Sequence, residues 1–413
     1  MLRDQYLDIN KITSNPHILS LFRIIENHGG ALRFVGGCVR DAIKGIKGFD
    51  LDLATDLSPD ELVEACEENN LKTIPIGIKF GTVGVLIDNQ VLEITSLRRD
   101  IKTDGRRAEV EFTSDWNEDA SRRDLTINAV YADEKGNVFD YYNGIQDLES
   151  GRIRFIGNAT HRIKEDYLRI LRFFRFYSIF GEGEIDTKAL TACRENKEGL
   201  RLLSMERIRD EMFKILLTPN VVKTLKIMYE NDILSYLLPD SHNFDQLDFL
   251  VNTIDVKELP NAALRRLFIL YNPDQPLAEN LAARLKLSKK QRDDFISWAR
   301  YHPKLEEFLH PDSLAKLVYL YGNEFCRDKL ILLSALQQNI LPDLKDRLEA
   351  IMQHQIPVFD LKGRDVIAAG IKDNRKIGEI LNELEDIWIN SGFTLSKDEL
   401  LNRLPQLIAE KSA

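Results

Sequence analysis

The chain has 413 residues, 44% of them hydrophobic, and a formal net charge of -10 at pH 7. It is too long for one ordinary core, so we expect two to four packed units of roughly 100 to 150 residues each. No apolar run reaches the roughly 20 residues that span a bilayer, and residues 1–10 have neither signal-peptide nor transit-peptide character, so we expect a cytoplasmic protein without membrane contact.

The first third is predicted to mix strands and helices. Strands are predicted over residues 32–35, 49–54, 72–74, 81–87, 90–96 and 129–132. Ser58, Pro59 and Glu61 form a capping box that opens a helix ending near Glu68. The order of these elements predicts an α+β unit.

The remainder, from about Arg162 onward, is predicted to be helical, because apolar residues recur three and four apart and β-branched clusters disappear. Further capping boxes stand at Ser288 with Gln291 and at Ser396 with Glu399. The cysteines lie far apart without C-x-x-C spacing, so we expect reduced thiols instead of disulfides or a metal cage: Cys38, Cys66, Cys193 and Cys326.

The first chemical cluster is a glycine pair followed by two aspartates. Gly36 and Gly37 end a predicted strand before a helix starting near Val39, where bare backbone N–H groups can receive a triphosphate. Asp50 and Asp52 alternate with leucines on a predicted strand and therefore face one side, an arrangement that suits Mg²⁺. Alone, the glycines would indicate a plain turn and the aspartates a solvated strand end.

Two further clusters carry paired charges. Arg123 and Asp124, in an Arg-Arg-Asp run, offer a phosphate fork and an acceptor for a ribose hydroxyl, or form a surface ion pair. Glu165, Asp166 and Arg169 share one face of a predicted helix, where Glu165 can hold the guanidinium while the other two read a base edge. Intrahelical salt bridges on a solvated face are the alternative.

Charge distribution favours a nucleic-acid partner more than the net charge does. Residues 152–176 hold seven basic residues against two acidic ones, a local basic stripe on an acidic protein. Phosphate binding depends on such local clusters of Lys and Arg.

Together, these clusters resemble the signature of the class II CCA-adding enzymes of the polymerase β-type nucleotidyltransferase superfamily. The resemblance is close over most of the first 215 residues and looser beyond them. It rests on Gly36-Gly37-x-x-Arg40-Asp41 with Asp50 and Asp52, Arg122-Arg123-Asp124, Asp140 to Leu148 with Gly144 and Asp147, Glu165-Asp166-x-x-Arg169, and the run from Ser204 to Glu211.

The resemblance implies an α+β catalytic head (residues 1–150), an all-α neck (151–215), a body (216–335) and a tRNA-binding tail (336–413). It implies template-independent addition of C, C and A to the 3′ end of tRNA from CTP and ATP by a two-metal mechanism. It also implies Mg²⁺ ions at Asp50 and Asp52, Glu93 as a third carboxylate, and no obligate protein partner. Residues 99–112 resemble a flexible loop that switches specificity from C to A. The implied nucleotide-binding residues are Gly36, Gly37, Arg40, Arg123, Asp124, Asn128, Glu165, Asp166, Arg169 and Arg172.

Rival functions remain open at this point. A bacterial poly(A) polymerase shares the head and neck motifs, and a non-catalytic RNA-binding protein would retain the fold but is expected to have lost Asp50 or Asp52. For Arg40, a triphosphate contact and an ion pair with Asp41 fit equally well.

Overall fold

A computed structural model describes residues 2–48, 50–104, 107–239, 242–254, 256–368, 371 and 374–410. The chain forms two compact units, residues 1–240 and 241–413. Within the described ranges, no helix is both long and apolar enough to cross a membrane. The described cysteines are all buried and unpaired, as expected from their spacing.

The first unit is built on a mixed sheet, with a separate hairpin beside it. The strands are β1 (Leu2–Tyr6), β2 (Leu32–Val35), β3 (Asp52–Thr55), β4 (Thr73–Gly77), β5 (Thr82–Ile87), β6 (Gln90–Ser96), β7 (Arg98–Asp104), β8 (Arg107–Phe112), β9 (Val130–Ala132) and β10 (Asn137–Asp140). The strand order in the sheet is β1-β10-β9-β2-β3-β6-β5-β4, while β7 and β8 pair with each other. The β3–β6 pair is parallel and every other named pair is antiparallel.

Helices of the first unit cover the sheet and then continue without further strands in the part described. They are α1 (Pro16–Asn27), α2 (Gly37–Ile43), α3 (Pro59–Glu68), α4 (Trp116–Ser121), α5 (Gly144–Glu149), α6 (Ala159–Glu165), α7 (Leu168–Phe180), α8 (Thr187–Glu195), α9 (Met205–Leu216), α10 (Val221–Glu230) and α11 (Ile233–Leu237). The apolar faces of α1 and α3 pack on the sheet, where Leu21, Ile25, Phe34 and Leu62 are fully buried. Burial of such side chains contributes about 1.5–3 kcal/mol each, so this core holds the sheet in place.

The second unit contains helices joined by loops, with no strand among its described residues. Its helices are α12 (Phe244–Thr253), α13 (Ala262–Tyr271), α14 (Gln275–Arg284), α15 (Lys289–Arg300), α16 (Pro311–Tyr321), α17 (Asn323–Leu336), α18 (Leu344–Gln353), α19 (Gly363–Ala368), α20 (Asn374–Asn390), α21 (Lys397–Leu401) and α22 (Leu404–Glu410). An α+β head followed by an all-helical remainder is therefore confirmed. The division at residues 150, 215 and 335 stays a prediction.

Local signals place several boundaries correctly. The capping boxes at Ser58, Ser288 and Ser396 all form, with the side chain of each serine accepting from the backbone N–H three residues on. The strands over 32–35 and 90–96 have the predicted bounds. Such signals succeed because each is closed within one helical turn or one strand.

Two local predictions are wrong. The strand predicted over 49–54 begins only at Asp52, so Asp50 precedes it and Phe49 lies outside the described residues. The helix predicted through 165–172 is broken: α6 ends at Glu165, Asp166 is extended (φ -155°, ψ 108°), and α7 begins at Leu168. Intrahelical spacing cannot reveal such a break, because an ion pair from α9 holds Asp166 outside the helix.

The segment resembling a flexible loop is a hairpin of β7 and β8. Of its Asp104-Gly105-Arg106 triplet, Gly105 and Arg106 lie outside the described residues. Strands β1 and β10 were also not predicted, since their short polar-rich sequences lack a clear alternation.

Candidate active site

A cavity of about 500 Å³ in the first unit collects most of the predicted site residues. Of the predicted set, the lining includes Gly36, Gly37, Arg40, Asp52, Arg123, Asp124, Asn128, Asp166, Arg169 and Arg172. It also includes five residues that were not predicted as site residues: Arg122, Leu168, Arg175, Phe176 and Arg207. Seven arginines thus face three aspartates, which makes this a strongly basic cavity in an acidic chain.

The glycine turn brings backbone close to the cavity. Gly36 has φ 68° and ψ -115°, a region essentially restricted to glycine. A Cβ there would lie 3.4 Å from the Asn128 carbonyl oxygen and 3.5 Å from an Arg123 guanidinium nitrogen. Both distances are ordinary van der Waals contacts, so glycine is needed at this position for its backbone conformation.

Arg40 on α2 makes the ion pair with Asp41 that the sequence left open. Its Nε and Nη2 donate to the two Asp41 carboxylate oxygens at 2.8 and 3.0 Å, and its Nη1 donates to Asn128. All three nitrogens are thus engaged within the protein. Nη1 and Nη2 each carry a second N–H, so a phosphate contact from Arg40 does not require its ion pair with Asp41 to break.

The carboxylates expected to bind metal lie together at one side of the sheet. Asp52 opens β3 and lies directly across from Glu93 in the parallel neighbour β6. Its pKa is raised, first by partial desolvation of the carboxyl and then by the nearby Glu93 and Asp50 carboxylates, against the lowering effect of Arg123 and Arg40. Asp50 and Glu93 are exposed and do not line the cavity themselves.

These carboxylates fit a hard divalent cation. No ready-made cage of three or more His, Cys, Asp or Glu ligands occurs among the residues described. Mg²⁺ does not require one, because proteins usually bind it through one or two carboxylates together with substrate phosphates and water. The mutual repulsion that acts on Asp52 is the kind of strain that a cation relieves.

Asp124 is buried and holds the side chains of Asn128 and Arg172 by hydrogen bonds. Its carboxylate accepts from Arg172 Nε at 2.6 Å, from Asn128 Nδ2 at 3.0 Å and from the Leu125 backbone N–H at 2.9 Å. Burial alone would raise its pKa, but Arg172 and these hydrogen bonds hold the pKa well below its usual value. Asp124 therefore stays ionised and fixes Arg172 and Asn128 at the cavity wall.

The predicted partners Glu165 and Arg169 do meet across the helix break. Glu165 accepts from Arg169, and also from Arg162 Nη1 at 2.8 Å. Arg169 further donates to the backbone carbonyl of Arg162 at 2.9 Å. Glu165 thus holds Arg169 from behind, since Glu165 is not part of the cavity wall while Arg169 is.

Asp166 has a partner that the sequence did not predict. Its Oδ2 accepts from Arg207 Nη2 on α9 at 2.7 Å, and its Oδ1 accepts from the Leu168 backbone N–H at 3.1 Å. Both partners of the ion pair are mostly buried, with side-chain exposures of 20% and 14%. Arg207 belongs to the conspicuous run from Ser204 to Glu211, but its 41-residue separation from Asp166 gives no pairing signal.

The ring of Phe176, which lines the cavity, makes cation–π contacts with three guanidiniums. The guanidinium carbons of Arg40, Arg172 and Arg175 lie 4.9, 5.6 and 4.2 Å from the ring centroid. Arg175 is also held by Glu211 through a 2.6 Å hydrogen bond. Cation–π contacts of this kind favour bringing like charges together, which prepares the wall for a polyanion.

The chain is similar to several known proteins. Residues 32–154 match the poly A polymerase head domain, and residues 184–244 match a probable RNA and SrmB-binding site of polymerase A. The human mitochondrial CCA tRNA nucleotidyltransferase 1 is 36% identical, covering 97% of this chain and 94% of its own. The CCA-adding enzyme of Ligilactobacillus salivarius is 29% identical, covering 95% and 96%.

A solved structure supports the same architecture. The Bacillus stearothermophilus CCA-adding enzyme in complex with CTP superposes with a TM-score of 0.80 at 23% identity, covering 96% of this chain and 98% of that one. At this level of identity the likeness establishes the fold.

Proposed function

The chain belongs to the CCA-adding tRNA nucleotidyltransferases, and we propose that its basic cavity binds CTP and ATP and transfers C, C and A to the 3′ end of tRNA. The observation that carries this proposal is the meeting of seven arginines, Arg169 among them, with the Asp52 and Asp166 carboxylates around one cavity of about 500 Å³. A poly(A) polymerase shares the head domain. The chain is 36% identical to a CCA tRNA nucleotidyltransferase over 97% of its length, and this similarity favours CCA addition over poly(A) synthesis.

Asp50 and Asp52, with Glu93 beside them, are proposed to hold the catalytic Mg²⁺. When two such ions are bound, one would lower the pKa of the tRNA 3′ hydroxyl and the other would stabilise the leaving pyrophosphate. The protein contributes by placing these carboxylates next to the phosphate-binding arginines, so that substrate oxygens complete the coordination.

Arg122, Arg123 and Arg172 are proposed to bind the triphosphate. Their guanidiniums line the cavity and are fixed by the buried carboxylates Asp119 and Asp124, so little side-chain freedom is lost when phosphate binds. Such preorganised donors stabilise charge in the transition state at little reorganisation cost. We therefore assign them to ground-state binding and to charge stabilisation.

Asp166 and Arg169 are proposed to read the base. Cytosine and adenine each present an exocyclic amine next to a ring nitrogen acceptor. A carboxylate can accept a hydrogen bond from the amine, and a guanidinium can donate one to the ring nitrogen. Uracil presents a carbonyl in place of the amine, so an ionised Asp166 would reject it. Glu165, which lies outside the cavity lining, holds Arg169, and Arg207 on the cavity wall holds Asp166, so both reading groups are oriented by neighbouring side chains.

The four-part division of the chain and the tRNA contacts of residues 336–413 are part of the same proposal. The cytoplasmic location is also proposed. It rests on the composition of the sequence, whereas the human relative is named mitochondrial. Cell fractionation with an antibody to the chain would test it.

The decisive experiment incubates the purified protein with Mg²⁺ and a tRNA that lacks its 3′ CCA, with CTP alone, ATP alone, or both. We expect two additions from CTP, a third only when ATP is also present, and none from an Asp50→Ala, Asp52→Ala double variant. A long adenosine ladder from ATP alone would identify a poly(A) polymerase instead. No incorporation by the wild type would favour a non-catalytic RNA-binding protein.

A further inference from the structure

Asp119 has a buried carboxylate that is not part of the cavity lining but contacts two arginines of that lining. Asp119 is on α4, and its side chain is 1% exposed. Its neighbours Arg122 and Arg123 both line the cavity. Asp119 therefore acts on the cavity through the positions of these two arginines.

The contacts of Asp119 saturate both carboxylate oxygens. Oδ1 accepts from Arg122 Nε and Nη2 at 2.9 and 2.6 Å. Oδ2 accepts from Arg123 Nε and Nη2 at 3.3 and 3.1 Å, and from the Tyr131 hydroxyl at 2.7 Å. The hydrogen bonds from the two arginines join ionised groups, and such charge-assisted hydrogen bonds are among the strongest hydrogen bonds in proteins.

Tyr131 ties this cluster to the sheet. The tyrosine is fully buried on β9, and its hydroxyl oxygen also accepts from Arg123 Nε at 3.2 Å. Its ring packs edge-on against Trp116 of α4, with centroids 5.4 Å apart. The position of Asp119 is therefore fixed by a central strand as well as by its own helix.

The charge balance of the cluster suits a phosphate ligand. Adjacent arginines repel each other, and Asp119 offsets one of their two positive charges. Burial alone would raise the pKa of Asp119, but Arg123 and Arg122 hold it well below its usual value, so the offset persists at neutral pH. Within the cluster of Asp119, Arg122 and Arg123, one net positive charge remains to attract a polyanion in the cavity.

We infer that Asp119 is a positioning residue for catalysis: it draws Arg122 and Arg123 to one side and holds them on the triphosphate of the incoming nucleotide. This inference rests on the proposed nucleotide site. It assigns Asp119 no contact with the base. Replacing Asp119 should therefore weaken the binding of every nucleoside triphosphate by the same factor.

The test is an Asp119→Asn variant, assayed by single-nucleotide addition to tRNA with CTP, ATP and UTP. Loss of one charge-assisted hydrogen bond between a displaced arginine and the triphosphate corresponds to about a tenfold to hundredfold weakening of nucleotide binding. We expect KM for CTP and for ATP to rise by the same factor in that range. We expect kcat to fall much less, and the preference for CTP over UTP to be unchanged.

Asp115→Asn is the matched control, because Asp115 caps the same helix without touching either arginine and asparagine is an equally good cap. It should leave KM unchanged. Should Asp119→Asn not fold, Tyr131→Phe keeps the carboxylate but removes the hydroxyl that bridges Asp119 and Arg123. It should raise both KM values in the same direction by a smaller factor.

Calorimetric titration with inorganic tripolyphosphate provides a readout that does not require turnover. Its affinity should fall in Asp119→Asn by the same factor as that of CTP. An unchanged KM, or an effect confined to one nucleotide, would overturn the inference while leaving the proposed function intact. A wild type that binds tripolyphosphate but adds no nucleotide would instead contradict the proposed function.

Discussion

Arg207 provides a sharp test of base reading, because it touches Asp166 and lies on a different helix. Replacing it by glutamine removes the charged donor that accounts for the 2.7 Å bond to Asp166 Oδ2. Asp166 would then keep only the Leu168 backbone N–H among the hydrogen-bond donors described for it. A carboxylate that is no longer held in place can turn away from the position of the amine and discriminate less strongly against uracil.

The magnitude follows from the environment of the pair. A hydrogen bond to a charged group contributes about 1.5–3 kcal/mol, and the low exposure of both side chains places this pair within that range. Each 1.4 kcal/mol corresponds to about tenfold, so the ratio of kcat/KM for CTP to that for UTP should fall about tenfold to a hundredfold in Arg207→Gln.

The assay is single-turnover addition of the first nucleotide to a tRNA lacking CCA, with CTP and UTP measured separately. Arg209→Gln is the matched control, because Arg209 is on the same helix but pairs with Asp210. It should keep the wild-type ratio. If Arg207→Gln lowers kcat/KM for both nucleotides equally, Arg207 supports the cavity in general and the reasoning about base reading is wrong.

Three further outcomes follow from the structure. Gly36→Ala should lower the free energy of unfolding by about 1–3 kcal/mol and raise KM for CTP, because φ 68° strains alanine and this turn lines the cavity; unchanged thermal denaturation would contradict this. Asp124 has a lowered folded pKa, so its ion pair with Arg172 stabilises the fold above about pH 4 and is lost in acid. The stability gap between wild type and Asp124→Asn in urea titrations should therefore shrink below that pH. Burial lowers the pKa of Lys329 to about 8, so the cost of its buried charge should disappear as pH rises from 8 toward 10.5. Relative to Lys329→Met, the wild type should gain stability over that interval in denaturant titrations, and a flat difference would refute the assignment.

The sequence alone was sufficient for features that are local or are carried by a motif. The Ser58 capping box, the strand 90–96 and the change from mixed to helical structure depend on contacts within a few residues, and all are confirmed. The motifs also indicated the family, since residues that bind one nucleotide must keep their chemistry and order along the chain.

Only the tertiary structure decided which groups support the site residues. The pairs Asp166–Arg207 and Asp124–Arg172 join residues 41 and 48 positions apart. No periodicity encodes such partners, because pairing across elements depends on how helices and strands pack. Asp119 shows the same limit at short range: its carboxylate could have been a solvated residue of an exposed helix, and only its burial against Tyr131 makes it the anchor of two arginines. Residue type and order thus determine the available chemistry, while packing determines which charges meet and how far water is excluded from them.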